Sequence, residues 1–320
     1  MSKQRTRARR RGCALRGWSL VACCLLLQGC AAPQAAPAAP QTVQTATPAA
    51  AARENTSVVR EPVWGGVDVL SGDRAQIDAS NTEQGYIQVR YDGDNPKVKL
   101  QIGFQDQTPC TYSLRAGVTD TFPLTQGDGV YHFAIYENLQ DTSYVQVLGG
   151  EREVTLADAF APFLYPNQYV AFTAASQTVA QGSQLAQGTT SDLDVVGRVY
   201  DYVVSSIAYD YEKAESVTSG YLPDVDETLA TGKGICFDYA AVMTAMLRSQ
   251  RIPTRLVVGY VGEIYHAWIS VYIQGTGWVD NIIYFDGINW VMMDPTFAAT
   301  GDAGKDYVGD GSGYHQVYIY

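Results

Sequence analysis

Apolar and polar side chains alternate in short segments between residues 60 and 156. A period of two is typical of strands that bury one face. Turn signals rich in Gly, Asp and Asn separate the segments, and Gly149-Gly150 is expected to form one of these turns. The clearest alternating segments are residues 86–91, 98–104, 111–114, 130–136, 144–148 and 153–156. The pattern predicts an all-β antiparallel sandwich over residues 60–156.

The pattern changes to a helical period after residue 190. Ser191 is a suitable N-cap, and the valines that follow it recur on one helical face. A second helix is predicted from Phe237 to Gln250, because this stretch lacks Gly and Pro and is rich in Ala, Met and Leu. The polar segment from Glu212 to Asp226 is expected to be a mobile loop between the two helices.

Strand-like segments follow the second helix. They are residues 254–260, 265–273, 278–285 and 287–296, with a last short segment at residues 316–320. A helix followed by a run of antiparallel strands predicts an α+β fold for residues 157–320. The apolar, proline-punctuated residues 160–166 are expected to form a connector that packs between this part and the sandwich.

The first 30 residues have the pattern of an export signal. A basic region is followed by an apolar run from Trp18 to Leu27, which is too short to span a bilayer. The run ends in Leu27-Gln28-Gly29-Cys30, which resembles a bacterial lipobox and implies cleavage before Cys30 with a lipid on its sulfur. An ordinary secretory signal is the alternative. We expect residues 1–29 to be a lipoprotein signal peptide and residues 30–59 to be an Ala- and Pro-rich tether.

The charge of the chain excludes one class of partner. The formal net charge is -11, yet seven of the 22 basic residues lie within the first 16 positions. Removal of the predicted signal peptide would leave 15 basic against 33 acidic residues. Nucleic acid is therefore not an expected partner. We expect an exported protein, lipid-anchored on the extracytoplasmic face of the cell membrane.

One cysteine is placed where a nucleophile is expected. Cys236 follows a Gly-rich loop and begins the predicted second helix, whose positive N-terminal end favours a thiolate. His266 and Asp294 follow at intervals of 30 and 28 residues, each within strand-like sequence. A thiol, a base and a group that orients the base form a catalytic triad. Asp280 is the alternative orienting residue, and Asp238 is expected only to offset the helix dipole.

Each of these residues also has an ordinary structural interpretation. Cysteine is among the most buried residue types, so Cys236 alone is compatible with an inert core thiol. His266 alone is compatible with a core histidine, and Asp294 with a turn before Pro295. The joint occurrence of the three residues, in this order, favours the catalytic interpretation.

The sequence blocks around these residues resemble the transglutaminase-like superfamily in its bacterial form. The blocks are Gly232-Lys233-Gly234-Ile235-Cys236-Phe237-Asp238-Tyr239-Ala240, Ile252-Pro253-Thr254-Arg255 with Gly259-Tyr260, His266-Ala267-Trp268, and Asp294-Pro295-Thr296. The resemblance covers about residues 190–300. It implies a papain-like core, in which Cys236 is the nucleophile, His266 the general base and acid, and Asp294 the orienting residue.

The resemblance also implies an acyl-enzyme thioester and an oxyanion hole. The hole would use the backbone N–H of Cys236 and a second donor upstream, for which Tyr209 and Tyr211 are candidates. The expected activity is that of a peptidase or amidase on cell-surface peptide or protein. A cross-linking transglutaminase and a non-catalytic surface-binding lipoprotein are the alternatives.

No cofactor and no metal are expected. The three histidines, His132, His266 and His315, are far apart, and the chain has no Cys-x-x-Cys motif. No Gly-rich loop is followed by Lys-Ser or Lys-Thr, as a phosphate-binding loop requires. His132 is expected to be a packing or half-exposed histidine, and His315 to lie at the surface.

Overall fold

Eight strands in the first half of the chain form two antiparallel sheets of four strands each, in a computed structural model of the protein. The structure describes residues 53–280 and 313–320, and the backbone of 283–285 and 290–292. One sheet has the order β1-β2-β3-β6 and the other β5-β4-β7-β8. The strands are β1 (Val69–Ser71), β2 (Ala75–Asp78), β3 (Tyr86–Tyr91), β4 (Val98–Phe104), β5 (Cys110–Leu114), β6 (Thr119–Pro123), β7 (Gly129–Gln140) and β8 (Ser143–Val154).

The two sheets bury their alternating apolar residues against each other. Ile77, Ile87 and Phe122 from the first sheet belong to the same buried cluster as Leu100 and Ile135 from the second. The period of two places these side chains on the inner faces, where their burial removes apolar surface from water. The predicted antiparallel sandwich is confirmed.

The predicted turn at Gly149-Gly150 is wrong. Both glycines lie inside β8, which continues without interruption from Ser143 to Val154. A Cβ on Gly150 would lie 2.8 Å from Cδ1 of Leu70 in β1. Glycine is therefore present because β1 packs closely over this part of β8, and not because the chain reverses.

The described residues of the second half of the chain form five α-helices. They are α1 (Gln177–Ala186), α2 (Asp192–Ser206), α3 (Tyr211–Ser216), α4 (Val225–Thr231) and α5 (Cys236–Ser249). Ser191 caps α2 as expected, because its hydroxyl accepts a hydrogen bond from the backbone N–H of Asp194. Helix α1 was not predicted, and the segment expected to be a mobile loop contains α3 and the start of α4.

An antiparallel sheet follows α5 in the chain and packs against it. Its strand order is β13-β12-β11-β16, from β11 (Thr254–Val261), β12 (Ile264–Ile273), β13 (Gly277–Val279) and β16 (Tyr314–Ile319). Leu256 and Ile269 face α5, whose side chains from Tyr239 to Ser249 are all buried. The predicted α+β core, with the cysteine helix on an antiparallel sheet, is confirmed.

Two short strand pairs and two short 3-10 helices, Thr82–Gln84 and Ala161–Phe163, lie outside these sheets. Strands β9 (Ala208–Tyr209) and β10 (Lys233–Gly234) are parallel. Strands β14 (Ile283–Phe285) and β15 (Trp290–Met292) are antiparallel. The pair β9 and β10 lies next to the predicted nucleophile, because only Ile235 separates β10 from Cys236.

The connector contacts both parts of the fold, as predicted. The ring of Tyr165 lies 4.8 Å from that of Tyr86 in β3, and the ring of Phe160 lies 4.1 Å from that of Tyr272 in β12. One hydrophobic cluster runs from the sandwich to α5. The domain boundary between residues 156 and 157 stays a prediction.

The predicted signal peptide, Cys30 and most of the tether lie outside the described residues. Within the part of the chain that the structure describes, no helix is both long and apolar enough to cross a membrane.

Candidate active site

The glycines before Cys236 shape the approach to α5. Gly232 ends α4 in the left-handed conformation, with a φ of 62° that side chains other than glycine rarely adopt. Gly234 lies so close to the first turn of α5 that a Cβ would stand 2.7 Å from the Cβ of Asp238. The Gly-Lys-Gly sequence therefore lets the chain leave α4, pair with β9 and enter α5 within four residues.

Cys236 is the first residue of α5 and is partly exposed. Both cysteines in the described part of the chain, Cys110 and Cys236, are free thiols. The first backbone N–H groups of a helix have no partner within the helix and form the positive end of its dipole. The position therefore offers hydrogen-bond donors to a negatively charged atom beside it.

His266 lies on β12, one of the strands that α5 packs against. It is 4% exposed, and it pairs with Gly259 across the β11–β12 ladder. Its ring is nearly parallel to that of Trp268, with the centroids 6.3 Å apart. The two residues are separated by one position, so they lie on the same face of the strand.

The preceding residue, Tyr265, interacts electrostatically with the Cys236 thiol. Burial raises the pKa of Tyr265, and the neighbouring Tyr318, Tyr260 and Cys236 raise it further. The interaction with Cys236 places the start of β12 beside the N-terminal end of α5. The structure thus brings together the two elements that carry the predicted nucleophile and base.

One of the two candidate orienting residues, Asp280, belongs to the described part of the chain. Asp294 lies outside the described residues. The alternative, Asp280, is exposed after β13 and interacts with Arg255, whose pKa is lowered by burial and raised by this carboxylate. The guanidinium of Arg255 in turn lies 3.7 Å from the ring centroid of Trp278. Asp280 therefore interacts electrostatically with Arg255 of β11.

The candidate oxyanion donors lie close to each other. Tyr209 is in β9, and Tyr211 begins α3, with 5.0 Å between their ring centroids. Burial, and then the nearby Tyr209 and Tyr211, raise the pKa of Tyr239 to about 12. Both candidates are therefore neighbours of Tyr239, one turn beyond Cys236. Their role in an oxyanion hole stays a prediction.

Asp238 has more partners than the sequence indicated. Its carboxylate is fully buried and accepts hydrogen bonds from the Lys213 ammonium at 2.7 Å and the Tyr221 hydroxyl at 2.5 Å. It also accepts from the backbone N–H of Ile235 at 2.8 Å. Lys213 and Tyr221 belong to the segment that was expected to be a mobile loop, and no local sequence pattern links them to Asp238.

The described residues hold no group of three or more His, Cys, Asp or Glu side chains suited to a metal ion. The described elements of the site carry a free thiol on α5, a histidine on β12 and the backbone N–H groups at the start of α5. Such a set can form and hydrolyse a thioester.

Comparison with known proteins gives a family match for part of the chain. Residues 179–295 match the model of the transglutaminase-like superfamily. YebA of Bacillus subtilis (strain 168), an uncharacterized protein, is 30% identical over 175 residues, which cover 47% of this chain and only 22% of YebA.

Solved structures give more remote similarities. A protein from Cytophaga hutchinsonii described as a "putative cysteine protease" has a TM-score of 0.36 and 15% identity, over 79% of this chain and 74% of its own. Red sea bream transglutaminase has a TM-score of 0.28 and 12% identity, over 68% of this chain and 48% of its own. From the family match and the sequence blocks that fall within it, residues 179–295 of this chain form a transglutaminase-like domain.

Proposed function

We propose that this protein is a thiol-dependent acyl-transfer enzyme that hydrolyses amide bonds in peptides or proteins. The observation that carries the proposal is the free, partly exposed thiol of Cys236 at the first residue of α5, beside the strand that carries His266. The match of residues 179–295 to the transglutaminase-like superfamily supports the same chemistry.

The first half of the reaction forms a thioester. His266 accepts the proton of the Cys236 thiol, and the thiolate sulfur attacks the carbonyl carbon of the substrate amide. The carbonyl oxygen becomes negatively charged and accepts a hydrogen bond from the backbone N–H of Cys236. The C–N bond then breaks, and the leaving amine takes the proton from His266.

The second half releases the acid. His266 takes a proton from a water molecule, whose oxygen attacks the thioester carbonyl. The C–S bond breaks, the Cys236 sulfur takes back the proton, and the free thiol is restored. In this scheme the Asp294 carboxylate accepts a hydrogen bond from the ring N–H of His266 that does not face the thiol. This hydrogen bond fixes the tautomer that the reaction requires.

Water and an amine are competing acceptors for the same thioester. An amine in the place of water would give a cross-linked or transamidated product. We favour water, because the bacterial proteins that the sequence blocks resemble are mostly peptidase-like. Hydrolysis and transamidation share the first half of the reaction, so Cys236 is required in both.

The proposed location is the cell surface. Cys30 at the end of the lipobox-like segment would carry the lipid, and two acyl chains are sufficient for stable membrane anchoring. A peptide or protein of the cell surface is then the natural substrate.

The activity is tested with a glutamine-containing peptide in the presence and absence of a labelled primary amine. We expect the wild-type protein to release ammonia or fragments from the peptide. The rate of this reaction is expected to fall by at least about 10⁴-fold in Cys236→Ala. Incorporation of the labelled amine would identify a transglutaminase instead. A thiol at position 236 that reacts with iodoacetamide no faster than free cysteine at mildly acidic pH would overturn the enzyme proposal.

The anchor is tested separately by growth with radiolabelled fatty acid. Label is expected on the protein and is expected to disappear in Cys30→Ser. A protein that carries no label, or equal label in both forms, would exclude the lipid anchor. The alternative of a non-catalytic binding lipoprotein would give a labelled protein without thiol-dependent turnover.

A further inference from the structure

Three side chains form a closed hydrogen-bonded triangle on the first turn of α5. The Lys213 ammonium donates to both Asp238 (2.7 Å) and the Tyr221 hydroxyl (2.6 Å). The Tyr221 hydroxyl donates to the other carboxylate oxygen of Asp238 at 2.5 Å. The same ammonium lies 4.5 Å from the centroid of the Tyr221 ring. The triangle attaches α3 and the segment after it to the helix turn that begins with Cys236.

Burial strengthens the interaction of the Asp238 carboxylate with charges near it. The Asp238 side chain is 0% exposed, whereas that of Lys213 is 30% exposed. A carboxylate without contact with water interacts with neighbouring charges through a medium of low dielectric constant. Asp238 is the third residue of α5 and Cys236 the first, so both lie in the same turn.

Asp238 by itself would oppose a thiolate at Cys236. Like charges close together disfavour the ionised form of each group, and the Asp238 carboxylate also offsets the positive end of the helix. The adjacent Lys213 cation cancels this charge. Burial alone lowers the pKa of Lys213, but the hydrogen bonds to Asp238 and Tyr221 outweigh burial and raise it. Lys213 is therefore charged throughout the neutral pH range.

We propose that Lys213 is a positioning residue that keeps the Cys236 thiol reactive by neutralising the buried carboxylate of Asp238. The use of a reactive thiol in catalysis rests on the proposed function. The reactivity of the thiol itself can be measured without turnover. Tyr221 completes the arrangement. Burial, and then its hydrogen bond to Asp238, raise the pKa of Tyr221 to about 12, so that its hydroxyl remains a donor.

Other titratable groups lie near this end of α5. Tyr265 of β12 interacts with Cys236, and Tyr209 of β9 interacts with Tyr239 of α5. Lys233 of β10 lies three residues before Cys236. Lys233 is exposed, and water screens its charge. His266 lies on β12, whose preceding residue interacts with Cys236, so every variant below retains it.

The experiment measures the rate of alkylation of Cys236 by iodoacetamide as a function of pH in the full chain. Mass spectrometry follows the peptide that contains Cys236, so the other cysteines do not interfere. In Lys213→Met we expect the pKa of the thiol to rise by about one pH unit or more. In Asp238→Asn we expect it to fall below that of the wild-type protein.

Three further variants separate the effect of charge from that of structure. The double variant Lys213→Met with Asp238→Asn removes one charge of each sign and is expected to return the thiol pKa to nearly the wild-type value. Lys213→Arg keeps the charge and is expected to resemble the wild type. Lys233→Met is the matched control, since it removes an exposed cation three residues before Cys236 and is expected to have a smaller effect.

The results decide between this inference and a purely structural role. If Lys213→Met does not fold, the comparison of Asp238→Asn with wild type still tests the direction of the shift. An unchanged alkylation profile in both charge variants would overturn the inference, even in an active enzyme. A protein that shows the predicted shifts but hydrolyses no amide would instead contradict the proposed function alone.

Discussion

Gly259 and His266 lie directly opposite each other in the antiparallel ladder of β11 and β12. On the other side of Gly259, β16 passes so closely that a Cβ at this position would overlap the carbonyl oxygen of His315. A register shift between β11 and β16 occurs at the same place, between Val258 and Gly259. The strand that pairs with the predicted general base is thus held between two neighbours with no space for a side chain.

Replacement of Gly259 by alanine is expected to destabilise the fold and to disturb His266. Because the overlapping atom belongs to the backbone, a strand must shift, at a cost of about 1–3 kcal/mol. Urea unfolding measures the loss, and the turnover of the folded fraction reports the displacement of His266. The matched control is Gly197→Ala in α2, where a Cβ would meet nothing within 4 Å. This control is expected to leave stability unchanged or to raise it by about 0.5–1 kcal/mol. Equal effects of the two substitutions would contradict the close packing at Gly259.

Arg248 is expected to be essential for stability, because one buried side chain serves three separate segments of the backbone. It is 1% exposed, and its guanidinium donates to the backbone oxygens of Tyr165, Thr254 and Tyr320. Arg248→Met would remove these buried hydrogen bonds, so we expect a loss of at least about 2 kcal/mol in the free energy of unfolding. The exposed Arg198, replaced by Met, is the control and is expected to change stability by no more than about 0.5 kcal/mol. A similar loss in both variants would show that the three carbonyls do not depend on Arg248.

Alkaline pH is expected to unfold the protein through its buried tyrosines. Burial raises the pKa of Tyr239 and Tyr221 to about 12 from the ordinary value of 10.0. Burial also raises the pKa of Tyr112 and Tyr169. Above pH 10 the unfolded chain therefore binds fewer protons at these groups than the folded chain, so stability falls as pH rises. Their contribution is complete below pH 10 and is lost as the pH passes through the raised values.

The alkaline transition is followed by tyrosinate absorbance together with near-ultraviolet circular dichroism. We expect these tyrosines to ionise at the same pH at which tertiary structure is lost. Full ionisation of all tyrosines in a protein that keeps its near-ultraviolet signal would show that the buried hydroxyls are accessible to solvent in the folded state.

The orienting residue can be identified by two isosteric substitutions. If Asp294 holds His266, Asp294→Asn is expected to lower kcat by about 10²- to 10⁴-fold with a small change in KM. Asp280→Asn is expected to have little effect, because Asp280 is exposed and interacts with Arg255. The opposite result would assign the role to Asp280. Steady-state kinetics of both variants on the same peptide substrate make the comparison.

Much of the architecture could be predicted from local patterns. The alternation between residues 60 and 156 identified the sandwich, and the helical period after Ser191 identified α2 together with its cap. The Gly-rich loop before Cys236 correctly placed the cysteine at the first turn of α5. These predictions succeeded because periodicity, capping and helix propensity act between residues that are near each other in the chain.

Other features could not be predicted, since they depend on residues that are distant in sequence. Gly149-Gly150 has the composition of a turn, yet it lies inside β8 because β1 packs over it. Helix α1 has a weak apolar pattern, since its buried face includes small or polar residues such as Thr178, Gly182 and Ala186. Gly182 permits close contact with α5, where its Cβ would lie 3.1 Å from Cα of Met246.

The sequence by itself determined which residues carry the expected chemistry: the thiol of Cys236, the imidazole of His266 and the transglutaminase-like blocks around them. Only the tertiary structure decided the environment of the thiol. It brought Lys213 and Tyr221, 25 and 17 residues from Asp238 in the chain, onto the buried carboxylate in the first turn of α5. The physical reason is that a buried charge requires partners, and packing selects those partners in space without regard to their separation along the chain.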